Sequence, residues 1–297
     1  MLKQKLITKK EGKNNCKNSL NHSPFQNLKS YNLHSQNNKT TKTQISNSKL
    51  NLACLPQHIA IIMDGNRRWA RQHGLKIFLG HKKMIDDGIN SVVNHALKRH
   101  IRYLTLWAFS TENWNREKKE VDYLMNLFRK LFNKKIAYFH RHNIKINVIG
   151  RITDFAPDIQ EKITHWLNKT KNNTALTLTF ALSYGGRDEI LRSTQKIFSH
   201  WLKKIKSKSG SEILTQLKQK INQLTFDDLQ KCFDTRGLPD PDIIIRTGGE
   251  HRLSGFLPYQ SAYSELFFPK IFMPDFKNKD FDQILLDFQN RSRRFGK

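Results

Sequence analysis

Cysteine is nearly absent from this chain. Three of its 297 residues are cysteine (Cys16, Cys54 and Cys232), far apart and in no CxxC or metal-ligand spacing. That argues against a disulfide framework and for a reducing compartment. Long apolar runs are missing as well. None approaches the roughly 18–20 residues that span a bilayer, and the N-terminus carries no apolar secretory core. Several catalytic signatures are absent too. Without GxxxxGK[ST], or a GxGxxG after a strand, kinase and dinucleotide readings have little support. Without HExxH or GxSxG, the same holds for metalloproteases and serine hydrolases. Acidic residues are scarce: 25 Asp and Glu stand against 52 Lys and Arg, a formal net charge of +27.

Charge alone would suggest a nucleic-acid binder, but the charge is unevenly spread. Residues 1–50 hold ten lysines, a single acid (Glu11) and many Asn, Ser and Thr. With few large apolar side chains, this stretch cannot bury enough surface to offset its ordering entropy. The expectation is a disordered basic tail over 1–50 and one folded domain over 55–297. The tail is acid-poor and contains serine, as transit peptides do, yet it is rich in lysine rather than arginine. A cytoplasmic location is expected, with organellar targeting the lesser reading.

From Leu55 onward, strand patterns alternate with helix patterns. His58–Met63 (HIAIIM) reads as a buried strand, continuous rather than alternating. Asp64–Arg68 reads as a turn. His81–His100 reads as a helix, with Met84, Ile85, Ile89, Val92, Val93, Ala96 and Leu97 on one face. A strand over Tyr103–Phe109, a long amphipathic helix over Lys118–His142, a strand over Ile144–Ile149 and a helix over Asp158–Lys171 follow. Next come a strand over Ala175–Leu182, a helix from Asp188 to about Ser207, a polar stretch over Gly210–Lys220 and a short helix over Phe226–Cys232. The strand Ile243–Ile245, an aromatic-rich segment from Phe256 to Phe272 and a helix over Lys279–Arg293 complete the chain. The alternation predicts an α/β fold: a single domain with a central, mostly parallel sheet flanked by helices.

Polar clusters recur at the strand ends. They are Asp64-Gly65-Asn66-Arg67-Arg68-Trp69, then Ser110-Thr111-Glu112-Asn113-Trp114-Asn115-Arg116, then Tyr184-Gly185-Gly186-Arg187, then Arg246-Thr247-Gly248-Gly249-Glu250-His251-Arg252. The carboxyl ends of parallel strands share one rim, so these clusters would gather Arg68, Arg116, Arg187, Arg246 and Arg252. Arginine forks suit phosphate oxygens, and glycines let backbone N–H groups come close. Asp64 adds the single carboxylate typical of Mg²⁺ held amid phosphates and water. Each feature alone has a plainer reading. Asp64-Gly65-Asn66 suits an ordinary strand-to-helix turn, Trp69, Trp107 and Trp114 suit a core, His81 and His251 suit simple hydrogen bonding, and Glu265 suits a solvent-facing strand edge. The recurrence of arginine at strand after strand favours a site for phosphorylated ligands.

The blocks HIAIIMDGNRRWA, Gly80-His81, WAFSTENWNR with Glu120, SYGGRDEI and DIIIRTGGEHRLSGFLPYQSAYSELFF resemble the signature blocks of the cis-prenyltransferases. The resemblance runs from about Pro56 to the terminal Arg293-Arg294-Phe295-Gly296. It implies repeated condensation of isopentenyl diphosphate onto an allylic primer, farnesyl diphosphate, to give a Z-polyprenyl diphosphate such as undecaprenyl diphosphate. It further implies Mg²⁺, a homodimer and a hydrophobic tunnel in the fold. Carried onto this sequence, it makes Asp64 and Asn113 catalytic. It places Gly65, Asn66, Arg67, Arg68, Trp69 and His81 at the allylic diphosphate, and Ser110, Thr111, Glu112, Trp114 and Arg116 along the reacting region. It gives Arg246, Arg252, Leu253 and Ser254 to the isopentenyl diphosphate. The metal would meet Asp64, Glu265 and His251, with Glu265 reaching the site from the partner subunit or close to it. Arg294-Phe295-Gly296 resembles an element that touches substrate across the dimer.

One departure stands out. Family members often carry arginine where this chain has Ile77, so Lys76 or Arg71 would have to supply that contact. Ala108 and Leu178 are expected along the tunnel. Three other readings fit the sequence less well. A non-catalytic partner subunit would tend to lose the acid and the arginines, yet Asp64, Asn113, Arg246, Arg252 and Glu265 are all present. A nucleic-acid binder would need a long track rather than one rim, so no nucleic-acid partner is expected. The lysine-rich surface suits anionic lipid and hence peripheral membrane association. A trans-prenyl synthase would need DDxxD, and Asp86-Asp87 lacks the third aspartate.

Overall fold

The computed structural model describes residues 50–51, 54–205 and 209–291. The tail expected over 1–50 (Leu50 apart) and the terminal Arg293-Arg294-Phe295-Gly296 lie outside the described residues.

Apolar runs rich in β-branched residues form one sheet. Its strands are β1 (His58–Ile62), β2 (Tyr103–Trp107), β3 (Ile144–Ile149), β4 (Leu176–Ala181), β5 (Ile243–Arg246) and β6 (Glu265–Phe267). Their order is β3-β4-β2-β1-β5-β6, and every neighbouring pair is parallel. Covered faces explain why β1 and β5 are continuously apolar rather than alternating. On β1, Ile59 and Ile61 enter the larger core, while Ala60 and Ile62 enter a smaller cluster with Tyr184, Phe256 and Leu257.

The helices are α1 (Asn66–Gln72), α2 (Ile77–Lys83), α3 (Ile89–Lys98), α4 (Lys118–Lys130), α5 (Ile136–Arg141), α6 (Pro157–Thr170), α7 (Gly186–Lys204), α8 (Gly210–Asn222), α9 (Phe226–Gln230) and α10 (Asn278–Gln289). The larger core joins sheet residues to the apolar faces of α3, α4, α5, α6 and α10.

Four local features depart from the sequence reading. The segment read as a turn starts a helix: Gly65, at φ +93°, caps α1. A side chain there would be strained, and its Cβ would lie 2.5 Å from Phe272. The helices read as continuous over His81–His100 and Lys118–His142 are interrupted by π turns at Met84–Gly88 and Leu131–Lys135. The polar stretch after Gly210 is helix α8. The aromatic-rich segment contributes a sixth strand, β6.

Chain order reverses between β1 and β5. β1, β2, β4 and β3 lie to one side, and β5 and β6 to the other. The crevice at such a switch point, beyond the carboxyl ends, is where open α/β sheets bind ligands. Here it falls between β1 and β5, whose register pairs Ile62 with Arg246.

Candidate active site

Arg246 ends β5 and is nearly fully buried. Two residues beyond β1, Asp64 meets it: Arg246 Nη2 and Nε donate to Asp64 Oδ2 at 2.9 and 3.3 Å. The third guanidinium nitrogen, Nη1, donates to the Arg252 carbonyl at 2.5 Å and to Ser254 Oγ at 2.8 Å. Asp64 Oδ1 accepts from the Gly65 N–H at 2.5 Å, and Arg68 Nη2 lies 3.4 Å from Oδ2. The Asp64 carbonyl accepts from Thr247 Oγ1 at 2.7 Å and the Met273 N–H at 3.0 Å, which fixes the backbone. Burial pushes the Asp64 carboxyl up. The hydrogen bonds from Arg246 and Gly65, with the charges of Arg246 and Arg68, outweigh it and hold the group below its ordinary range.

Around this pair lies a cleft of about 460 Å³. Six arginines line it (Arg67, Arg68, Arg71, Arg116, Arg246 and Arg252) against two carboxylates, Asp64 and Glu250. Glu250 bridges two of the cations, accepting from Arg68 Nη1 at 2.9 Å and Arg252 Nη1 at 2.6 Å. Deeper in, Glu120 accepts from Arg116 Nη1 at 2.8 Å, with His81 Nε2 at 3.8 Å and Arg67 Nε at 4.0 Å. Burial first, then the charges of Arg116 and Arg67, lower the His81 pKa to about 4, so its imidazole is neutral near pH 7. Asn66 Oδ1, Arg67 Nε and His81 Nε2 are buried with no hydrogen-bond partner. Such orphans cost about 1–3 kcal/mol each. Three of them beside one cleft mark it as built for a polar ligand.

The cleft opens inward. Asp64, Asn66, His81, Arg116 and Arg246 also line a cavity of about 210 Å³, whose apolar wall is made by Ile85, Ile89, Ala108, Leu124, Phe128 and Leu131. Ile85 and Leu131 sit on the two π turns, a helix irregularity common at functional sites. Among the described residues this is a cavity open to the cleft, short of an enclosed tunnel. It is smaller than the roughly 300–1,000 Å³ of ordinary ligand sites. Leu178 is buried in the core and does not line it.

Between β2 and α4, a 3₁₀ turn at Thr111–Asn115 carries Asn113. Its amide oxygen accepts from the Ser110 N–H at 3.1 Å. Ser110, Asn113, Arg116 and Ser254 all line the cavity.

Other expected residues stand apart. Trp69 is in the core, stacked on His73 with ring centroids 4.3 Å apart. Trp114 packs edge-on against Phe109 and Phe155. Thr111, Glu112 and Leu253 line neither the cleft nor the cavity. Arg187 does not join the rim: it is exposed on the first turn of α7. Of the two cations offered for the Ile77 position, Arg71 lines the cleft and Lys76 does not.

His251 stacks on Phe268, ring centroids 5.0 Å apart. Glu265 pairs in register with Ile243, three residues before Arg246, and its carboxylate accepts from Arg291 at 2.5 Å. Three residues of strand are about 10 Å, so Glu265 sits at the opposite end of β5 from Asp64 within one chain. Among the described residues, no three His, Cys, Asp or Glu are grouped to hold a metal. The donor set instead suits Mg²⁺ brought in by a diphosphate, with Asp64 as the protein oxygen.

Glu250 lines the cleft and Glu120 lies behind it, paired with Arg116; neither carries a site role in the sequence reading. Glu120 had a signal: it follows Arg116 by four residues at the start of α4, a spacing that places two side chains together.

Comparison with known proteins agrees with this picture. Residues 62–296 match the family described as "Putative undecaprenyl diphosphate synthase". An isoprenyl transferase of Clostridium tetani is 43% identical over 248 residues, 84% of this chain and 92% of that protein. A ditrans,polycis-undecaprenyl-diphosphate synthase of Pasteurella multocida, (2E,6E)-farnesyl-diphosphate specific, is 41% identical over 242 residues, 82% of this chain and 95% of that protein. Among solved structures, lavandulyl diphosphate synthase from Lavandula x intermedia, in complex with dimethylallyl diphosphate, is similar with a TM-score of 0.73 and 27% identity, over 82% of this chain and 100% of that one. A Campylobacter jejuni protein described as "a probable undecaprenyl diphosphate synthase" is similar with a TM-score of 0.64 and 30% identity, over 82% of this chain and 99% of that one. With identity above 40% across nearly the full length of these two relatives, this chain belongs to the prenyltransferase family that contains isoprenyl transferase and undecaprenyl diphosphate synthase.

Proposed function

We propose that this chain is an isoprenyl transferase that adds isopentenyl diphosphate repeatedly to farnesyl diphosphate, forming a Z-polyprenyl diphosphate of the undecaprenyl type. The observation that carries the reading is the cationic cleft adjoining a cavity with an apolar wall, with Asp64, Asn66, His81, Arg116 and Arg246 lining both. A prenyl diphosphate has the same division: two phosphates, then hydrocarbon.

In this reading, Asn66, Arg67, Arg68, Arg71 and His81 hold the allylic diphosphate. Arg246, Arg252 and Ser254 hold the isopentenyl one. The allylic C–O bond breaks and the electron pair leaves with the diphosphate, where the arginine field stabilises it. The terminal methylene carbon of the isopentenyl unit attacks the allylic carbon, and holding both substrates makes that attack local. A proton then leaves C2 and the new Z double bond forms. Asn113 is a poor candidate for the base: a neutral amide accepts protons badly, and its oxygen is already bonded to the Ser110 N–H. We assign it a positioning role, with a diphosphate oxygen as proton acceptor. Mg²⁺, when bound at Asp64 and the phosphates, would add positive charge against the departing diphosphate.

A homodimer is part of the proposal. Leu191 and Leu202 of α7, Leu214 and Ile221 of α8, and Phe226 of α9 are exposed apolar side chains that a second copy would cover. Among the described residues no helix is long and apolar enough to cross a membrane. We place the enzyme in the cytoplasm, with its basic surface meeting anionic lipid. The test is incorporation of labelled isopentenyl diphosphate into solvent-extractable product. It should require farnesyl diphosphate and Mg²⁺ and should be lost in Asp64→Asn. No incorporation by the unmodified chain would refute the reading.

A further inference from the structure

Three strand-end turns meet at one hydroxyl. Ser183 lies two residues beyond β4, fully buried, with a left-handed backbone (φ +46°) that is uncommon outside glycine. Its Oγ accepts from Trp114 Nε1 at 2.9 Å and donates to Asp154 Oδ2 at 2.5 Å. Asp154 closes the 3₁₀ turn that follows β3, and Trp114 belongs to the turn that follows β2. The Ser183 carbonyl also accepts from the Arg151 N–H at 3.2 Å, which ties the same two strand ends through the backbone.

The direction of this chain of bonds is forced. An indole N–H only donates, so Ser183 must accept from Trp114. A hydroxyl has a single proton, and here it goes to the Asp154 carboxylate. Asp154 therefore turns the Ser183 lone pair toward the indole. Trp114 is the next residue after Asn113, and the edge-on contacts with Phe109 and Phe155 hold its ring on the other faces.

We infer that Asp154 and Ser183 are positioning residues, which orient Trp114 and through it set the angle at which Asn113 and Ser110 face the reacting carbons. The inference rests on the proposed transferase reading. The geometry predicts a fall in kcat with little change in KM, because none of the arginines assigned to the two diphosphates (Arg67, Arg68, Arg71, Arg246 and Arg252) is carried by this turn.

The test pairs kinetics with a readout independent of turnover. Ser183→Gly removes the hydroxyl and suits the left-handed backbone, so it avoids a folding defect. Asp154→Ala removes the acceptor, and Asp154→Asn keeps one. In a ¹⁵N-labelled protein, the Trp114 indole signal is identified by its absence in Trp114→Phe. It should shift in Ser183→Gly and Asp154→Ala, and lie closer to its original position in Asp154→Asn. Ser183→Gly and Asp154→Ala should each lower kcat about tenfold, the equivalent of one lost hydrogen bond, with both KM values within about twofold. In the Trp114→Phe background neither change should lower kcat further. An unmoved indole signal, an unchanged kcat, or an equal loss in the Trp114→Phe background would overturn the inference. If the unmodified chain adds no isopentenyl units, the transferase reading fails, while the indole signal still decides whether the three residues are coupled.

Discussion

Arg246 is the residue whose replacement should be most instructive. One guanidinium serves two masters, Asp64 across the switch point and the Arg252–Ser254 loop, through four hydrogen bonds from three nitrogens. Lysine keeps the charge but concentrates it on one nitrogen and cannot reproduce the fork. In Arg246→Lys the ammonium can reach the carboxylate or the loop, and the other is released. Hydrogen bonds involving a charged group contribute about 1.5–3 kcal/mol each, so losing two costs on the order of 3 kcal/mol or more. The expectation is a fall in kcat/KM for isopentenyl diphosphate of roughly 100-fold or greater. Arg246→Ala goes further, because it also releases Asp64. Burial already pushes that carboxyl up, and Arg246 leads what holds it down. Without Arg246 the Asp64 pKa rises. In the proposed mechanism Asp64 works as the charged carboxylate, so the acid limb of the kcat/KM profile should move to higher pH. Steady-state kinetics across the acid range, at constant ionic strength, reads both effects. An Arg246→Ala enzyme with kcat/KM within threefold of the unmodified one and an unmoved acid limb would refute the coupling.

Further outcomes follow from other parts of the fold. Glu189 is buried and accepts from Tyr184 Oη, Gln260 Nε2 and the Asp234 and Thr235 N–H groups, so it ties the segment after Ser254, through Gln260, to the loop after α9. Glu189→Ala should raise the KM for isopentenyl diphosphate well above tenfold while the KM for farnesyl diphosphate changes little, as initial-rate kinetics would check. His58 and His81 are both held near a pKa of about 4 by burial, against 6.5 unfolded. Their folded forms bind fewer protons, so the stability they contribute is present above pH 6.5 and lost as pH falls toward 4. Urea melts across that window should show the decline, and His81→Asn should make it shallower if the protein stays two-state. Ala108 walls the cavity, so Ala108→Leu should shorten the product seen by chromatography without preventing the first addition.

The sheet was readable because buried parallel strands need continuous apolar runs. HIAIIM, YLTLWAF and DIIIR supply them, and the structure places β1, β2 and β5 there. β6 was hidden because three residues cannot establish a pattern inside a stretch rich in aromatics. α1 was missed because NRRWARQ is short and mostly polar, and its start is set by the left-handed Gly65 rather than by apolar spacing. The π turns leave no sequence mark, since each inserts one residue into an otherwise regular helix. At the site, the arginines at strand ends were visible from sequence alone. Arg187 was not excluded because sequence gives the end of a strand, not the side toward which the next helix turns. Glu265 came to the metal environment through the family resemblance, from the partner subunit or close to it; within one chain, pairing with Ile243 puts it at the far end of β5 from Asp64. The Ser183–Asp154 contact joins residues 29 apart and could only be seen once β3 and β4 were paired.

The central claim is that one cleft holds two diphosphates while the growing hydrocarbon enters the cavity beside it. The most direct measurement is to incubate the protein with farnesyl diphosphate, labelled isopentenyl diphosphate and Mg²⁺, then size the dephosphorylated products and read the new double bonds by NMR. The account predicts a ladder of products rising in five-carbon steps, every added unit of Z geometry. A product that stops at one condensation, carries E double bonds or never forms would contradict it.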